Sequence, residues 1–195
     1  MGRDRGGFGG GQVNRPEQDA VIQQISGQIH SLSGFDQFGA KDMVQAARSV
    51  ANAISDDLKN SQLRRLYGMV KKIESQRRSK DKRGQEQKRD HYTAEQLELL
   101  RPRLFYAAGR QAGVRPLRDI MDEAITSVNK RAYDTLPAIP EDRPAEVEDK
   151  AGKEVRDKVR NEAIAKAKKI SDDYEAAFKR FIEFFEAIVA YNTKR

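Results

Sequence analysis

The stretch YEAAFKRFIEFFEAIVAY, residues 174–191, carries the strongest apolar pattern of the chain. Its large apolar residues recur at steps of three and four, which places them on one side of an α-helix. That side holds Tyr174, Phe178, Phe181, Phe185, Ile188 and Tyr191, and Phe184 and Val189 broaden it. Because such a face must be covered, we predict that this helix packs inside a bundle.

Five upstream segments show the same helical period. They begin at Pro16, Gly39, Ser61, Thr93 and about Arg115. Thr93 with Gln96 three residues later is typical of a capping box, so the fourth helix is predicted to begin there. No segment has the alternation of a strand. The predicted class is therefore all-α, a compact bundle of about five or six helices.

Three segments lack a packable face. Residues 1–13 hold six glycines and predict a disordered tail, in which Arg5-Gly6-Gly7-Phe8 resembles a single RGG unit. Residues 14–195 are predicted to form a single domain. Within it, residues 77–92 predict a mobile basic loop and residues 134–149 a proline-rich linker.

The charge of the chain is basic and unevenly distributed. The 195 residues have a formal net charge of +7, and 16 basic against 6 acidic residues lie between Ser61 and Arg118. Such an excess indicates nucleic acid or another polyanion as partner. The chain has no cysteine, no apolar run that could span a membrane and no signal-peptide pattern. We expect a soluble, cytoplasmic protein without a membrane partner.

No catalytic or metal-binding pattern stands out. His30 and His91 lack a second ligand or base at helical spacing, and the glycine cluster does not follow a strand. We predict that the protein is not an enzyme and that it has no cofactor and no metal.

The third helix has a basic side opposite its apolar one. Arg64, Arg65, Lys71 and Lys72 gather there, and no acidic residue follows until Glu74. A structural helix usually mixes signs. A row facing phosphates is the favoured interpretation, and a merely solvated face is the alternative.

Residues 101–110, RPRLFYAAGR, combine an apolar and a basic face. Arg103, Tyr106 and Arg110 project from one side, where arginine binds phosphate and tyrosine offers a stacking surface. Tyr106 is alternatively a half-buried helix residue. Pro102 cannot donate to the carbonyl of Glu98, so we predict a kink or break there that turns the arginine end toward RNA.

Three motifs in order resemble one family. They are Ser61-Gln62-Leu63-Arg64, the stretch LRPRLFYAAGR at 100–110, and the ending FIEFFEAIVAY at 181–191. Together they resemble the small, Csm-type subunit of type III-A CRISPR effector complexes, over roughly residues 55–130 and 170–192. The segments 77–90 and 134–169 have no counterpart in this resemblance.

The resemblance implies a non-catalytic helical bundle of an antiviral ribonucleoprotein. It would stack in more than one copy against the crRNA and target RNA duplex and touch the backbone and large subunits. Carried onto this chain, the phosphate contacts are Arg64, Arg103 and Arg110. The helical faces described above add Arg65, Lys71, Lys72 and Arg101.

Two other functions stay open from the sequence. One is a stand-alone basic helical nucleic-acid-binding protein, for which net basicity suffices. The other is a structural interaction protein whose C-terminal aromatic helix docks a partner.

Overall fold

A computed structural model describes residues 15–54, 58–78, 89–132 and 150–192. Within these ranges the chain forms seven α-helices, two short 3-10 turns and no strand, which confirms the all-α prediction. The helices are α1 (Arg15–Ser31), α2 (Ala40–Ile54), α3 (Asn60–Arg78), α4 (Arg89–Glu98), α5 (Leu100–Arg110), α6 (Arg115–Ala132) and α7 (Lys150–Asn192). The predicted tail at 1–13 and linker at 134–149 lie outside the described residues.

The C-terminal part of α7 is the centre of the bundle, as its aromatic pattern predicts. It packs against α2, α3, α6 and the 3-10 turn Phe35–Gln37. Phe35 lies 6.2 Å from Phe181 and 5.8 Å from Phe184 between ring centroids, in edge-on and tilted contacts. Aromatic pairs at such distances contribute beyond the area they bury. The C-terminal part of α7 therefore contributes the aromatic centre of the core.

The remaining helices complete the same core. α1 packs on α6, and α6 also receives α4 and α5. Buried apolar side chains from α1 to α7 join in one continuous cluster. The described helices thus share one core.

The start of α3 follows from a local capping contact. The backbone N–H of Lys59 donates to Gln62 Oε1 at 3.1 Å, which satisfies one of the amide groups that a helix start leaves unpaired. α3 therefore begins at Asn60, one residue before the predicted Ser61. The motif residue Gln62 has a structural role here.

The fourth predicted helix begins earlier than the sequence indicated. α4 starts at Arg89, and Thr93 lies inside it with only 1% of its surface exposed. The capping-box prediction was therefore wrong. A threonine followed three residues later by a glutamine can also occur inside a helix, as it does here.

The predicted loop boundaries at 77 and 92 were also wrong. α3 continues through Arg78 and α4 begins at Arg89, so only residues 79–88 separate them, and these lie outside the described residues. Arg77 Nη2 donates to Asp90 Oδ1 at 2.7 Å and joins the two helix ends. An ion pair thus joins two helix ends that the sequence assigned to a loop.

Candidate nucleic-acid interface

The basic side of α3 is exposed throughout. Leu63, Leu66, Val70 and Ile73 are buried on the opposite side. The basic residues form two strips, because positions seven apart on a helix differ by only about 20°. One strip holds Arg64 and Lys71, and the other holds Arg65 and Lys72, all exposed.

The second strip meets α5 at a shallow notch. Arg103 Nη1 lies 3.6 Å from the sulfur of Met69, which sits between Arg65 and Lys72 along α3. The notch has a volume of about 100 Å³. Its lining residues are Met69, Lys72, Ile73, Gln76, Gln96, Leu99, Leu100 and Arg103. Basic residues that are 31 positions apart in sequence, Lys72 and Arg103, therefore line one surface feature.

Arg103, Tyr106 and Arg110 project outward from α5. Tyr106 is 67% exposed, so the half-buried alternative for this residue was wrong. The guanidinium carbon of Arg110 lies 5.4 Å from the centre of that ring, within the range of a cation–π contact. We call the exposed residues Arg65, Lys72, Arg103, Tyr106 and Arg110 the α3–α5 surface.

Arg101 occupies a different environment from its neighbours. Its side chain is only 20% exposed, and its Nε lies 2.7 Å from Glu98 Oε2. The same guanidinium pairs with Asp122 and donates to Thr126 Oγ1 at 2.9 Å. These contacts bind α5 to α4 and α6, so the guanidinium that the sequence assigned to phosphate is occupied by carboxylates.

Replacing Arg101 with alanine is expected to lower the free energy of unfolding by about 2 kcal/mol, because hydrogen bonds to charged groups are lost and Asp122 is left unpaired. Arg103→Ala on the same helix, where the side chain is exposed, is expected to cost less than about 0.5 kcal/mol. Urea denaturation of both variants measures the difference. Equal losses would contradict the structural role of Arg101.

Lys71 lies at an acidic edge of the basic row. It forms an ion pair with Glu74, and that hydrogen bond raises the pKa of Lys71. Burial and the nearby Glu186 carboxylate raise the pKa of Tyr67. Lys71 therefore stays protonated, but Glu74 and Glu186 partly balance its charge. On the other strip, Arg65 and Lys72 have no such acidic neighbour among their described contacts.

The helix predicted to kink or break at Pro102 is interrupted at Leu99, three residues before the proline. α4 ends at Glu98 and α5 begins at Leu100, with Leu99 between them donating its N–H to the carbonyl of Glu95 at 3.0 Å. Pro102 then falls in the first turn of α5, where a missing backbone N–H leaves no helical hydrogen bond unmade. Leu99 is 55% exposed and lines the notch.

Metal-binding clusters and membrane-spanning helices are both absent from the residues with a described placement. No group of three acidic or histidine side chains is arranged to hold a metal ion there. His30 Nδ1 lies 3.2 Å from Glu123 Oε2 in an exposed pair. No helix in the same residues is long and apolar enough to cross a bilayer.

A model of the family described as Csm2 Type III-A matches residues 37–138. This range includes α3 and α5, the two helices that form the α3–α5 surface. The chain belongs to this family. It is a small Csm-type subunit of type III-A CRISPR effector complexes and works among other Csm subunits. No curated protein and no solved structure matches the chain.

The family match and the motif resemblance overlap only in part. Residues 37–138 contain the Gln62 helix start and the RPRLFYAAGR stretch, and the aromatic ending at 181–191 lies outside them. The sequence motifs do not include Met69, Gln76, Gln96 and Leu99, which line the notch. No periodic pattern could identify them, because their role depends on how α3 meets α4 and α5.

Proposed function

We propose that this subunit holds the phosphate backbone of the crRNA and target RNA duplex on the α3–α5 surface and performs no cleavage itself. The observation that carries the proposal is the notch, where Lys72 of α3 and Arg103 of α5 come together on an exposed surface. The family supports membership of a multi-subunit effector complex, and the RNA contact is our inference from the geometry.

The chemistry of this surface suits a backbone rather than a base sequence. Arginine and lysine neutralise phosphates without reading base identity, so specificity comes from guide pairing. Double-stranded RNA is recognised mainly through its shape, phosphates and 2′-hydroxyls. The exposed Tyr106 ring, with Arg110 against it, adds a flat surface for a ribose or an unpaired base.

The same proposal assigns the other basic residues to the edge of the contact. Arg64 and Lys71 lie on the neighbouring strip of α3, and Lys71 is already paired with Glu74. We therefore expect them to contribute less than Lys72 and Arg103. Arg101 contributes to stability in place of RNA binding. The backbone and large subunits and further copies of this chain would contact the remaining faces of the bundle.

The proposal is tested with the variant Arg65→Gln, Lys72→Gln, Arg103→Gln in the assembled complex. Losing three phosphate contacts is expected to lower the slope of log affinity against log salt by about 2 to 3 for a target RNA, and to weaken binding by roughly tenfold or more at low salt. Fluorescence anisotropy across a salt series measures both quantities.

The matched control removes three positive charges from another part of the protein surface. Lys41, Arg48 and Lys179 are exposed on α2 and α7, and their replacement by glutamine is expected to change the slope by less than about 1. If the α3–α5 variant behaved like this control, the surface would not be the RNA contact.

A further inference from the structure

The N-terminal part of α7 is a helix whose apolar side the core does not cover. None of residues 157–170 is buried, and we call this range the α7 arm. Val159, Ala163 and Ile170 lie within about 40° of one another around the helix. Val159 is 48% exposed and the other two are only partly buried. We call these three residues the arm stripe, which continues the face that becomes buried at Tyr174.

The end of α6 lies beside the base of the arm. Asn129, one turn before the end of α6 at Ala132, donates to the carbonyl of Ala94 at 3.3 Å. Asp90, one turn before Ala94 on α4, accepts a hydrogen bond from Ser171 of α7. α6 also packs directly on α7. The chain therefore leaves α6 near Ser171, where the arm meets the core.

The next described residue lies at the opposite end of the arm. α7 begins at Lys150, which is 21 residues before Ser171 and about 32 Å from it along one continuous helix. The 17 residues of the connection, 133–149, would average about 20 to 25 Å end to end as a flexible chain and reach about 53 Å as a polyproline II chain. Any path between these two ends runs the length of the arm in the opposite direction.

The composition of residues 133–149 complements that of the arm. The segment has six acidic residues and one basic residue, whereas the arm has two acidic and five basic residues. Its three prolines favour polyproline II, which has three residues per turn. Leu136 and Ile139 are three positions apart and would share one side of such a chain. The segment thus offers the arm an opposite charge and an apolar pair.

We propose that residues 133–149 dock antiparallel on the α7 arm, with Leu136 and Ile139 covering the arm stripe. A segment of the same chain is favoured over a second copy, because the connection holds it near the stripe at an effective concentration on the order of millimolar. Two arms from different copies would instead bring two basic helices together, and like charges disfavour that contact. The proposal does not depend on RNA binding.

The test places pairs of cysteines in the full chain, which has none of its own. Ala138→Cys marks the segment between its two apolar residues, and Ala163→Cys marks the arm stripe. The matched control combines Ala138→Cys with Ala165→Cys, since Ala165 is exposed about 160° away around the same helix. A short bis-maleimide links the two thiols, and mass spectrometry of tryptic peptides follows the rate of the intrachain link.

If the segment docks on the stripe, the pair with Ala163→Cys should react roughly fivefold faster or more than the pair with Ala165→Cys. Adding Leu136→Ser and Ile139→Ser should remove the preference, while far-UV circular dichroism checks that the bundle stays helical. Equal rates for the two pairs overturn the proposal. A preference that survives both serine replacements also overturns it, because the apolar pair would then not be the contact.

The single variants separate the connection from a second copy. Ala163→Cys alone should give no more crosslinked dimer than Ala165→Cys alone, because residues 133–149 already cover the stripe. A dimer that forms through Ala163→Cys and not through Ala165→Cys overturns the proposal and assigns the arm stripe to another copy of this chain.

Discussion

Replacing Phe181 with alanine is expected to lower the free energy of unfolding by about 3 to 5 kcal/mol. The Phe181 side chain is 0% exposed, and it faces Phe35 across the contact between α7 and the 3-10 turn. Removing the ring deletes buried apolar area and leaves a cavity that neighbouring rings fill only partly. Urea denaturation, with the transition midpoint and slope compared to the parent chain, measures the loss.

Phe105→Ala is the matched control for this prediction. Phe105 is 50% exposed on α5, and the guanidinium carbon of Arg118 lies 4.9 Å from the centre of its ring. Losing an exposed cation–π contact and a half-exposed ring should cost about 1 kcal/mol or less. Comparable losses in the two variants would contradict a core role for Phe181 and would favour the alternative in which the α7 aromatic face docks a partner.

The aromatic face of α7 shows what the helical spacing of apolar residues in a sequence can predict. Spacing of three and four identifies which side chains share a face, and the members from Tyr174 to Ile188 are indeed buried. Spacing says nothing about what that face meets. Phe35 and Phe38 contact Phe184 from a short 3-10 turn, where too few residues exist for any period to appear.

The partners of charged side chains were harder to predict from the sequence than the members of an apolar face. Arg101 and Arg103 are two positions apart and chemically identical, yet one is bound by carboxylates and the other is exposed. The difference arises from Asp122 and Thr126 on α6, more than twenty residues away. A helical wheel places an arginine on a face, but the partner that neutralises it is set by helix packing.

Arg77 shows the same effect at the predicted basic loop. Its side chain is only 16% exposed, and its guanidinium carbon lies 5.7 Å and 5.6 Å from the ring centres of Tyr174 and Phe178. Its Nη2 donates to Asp90, which also accepts a hydrogen bond from Ser171. The network joins the end of α3, the start of α4 and the first buried turn of α7.

Arg77→Ala is therefore expected to lower the free energy of unfolding by about 2 to 3 kcal/mol, because a partly buried hydrogen bond between charged groups is lost and two rings lose their cation–π partner. Arg77→Lys should fall between the parent and the alanine variant, since it keeps the charge but not the planar fork. Urea denaturation of both variants gives the order.

The control for Arg77 is Arg180→Ala, which removes an arginine from the same bundle without opening the core. Arg180 Nη1 pairs with Glu183 at 3.1 Å, and both side chains are at least 30% exposed. A pair of this kind on a helix surface contributes about 0.3 to 0.5 kcal/mol. If Arg77→Ala cost no more than Arg180→Ala, the network at Asp90 would be a surface contact, and the ends of α3 and α4 would have to be held by their apolar side chains alone.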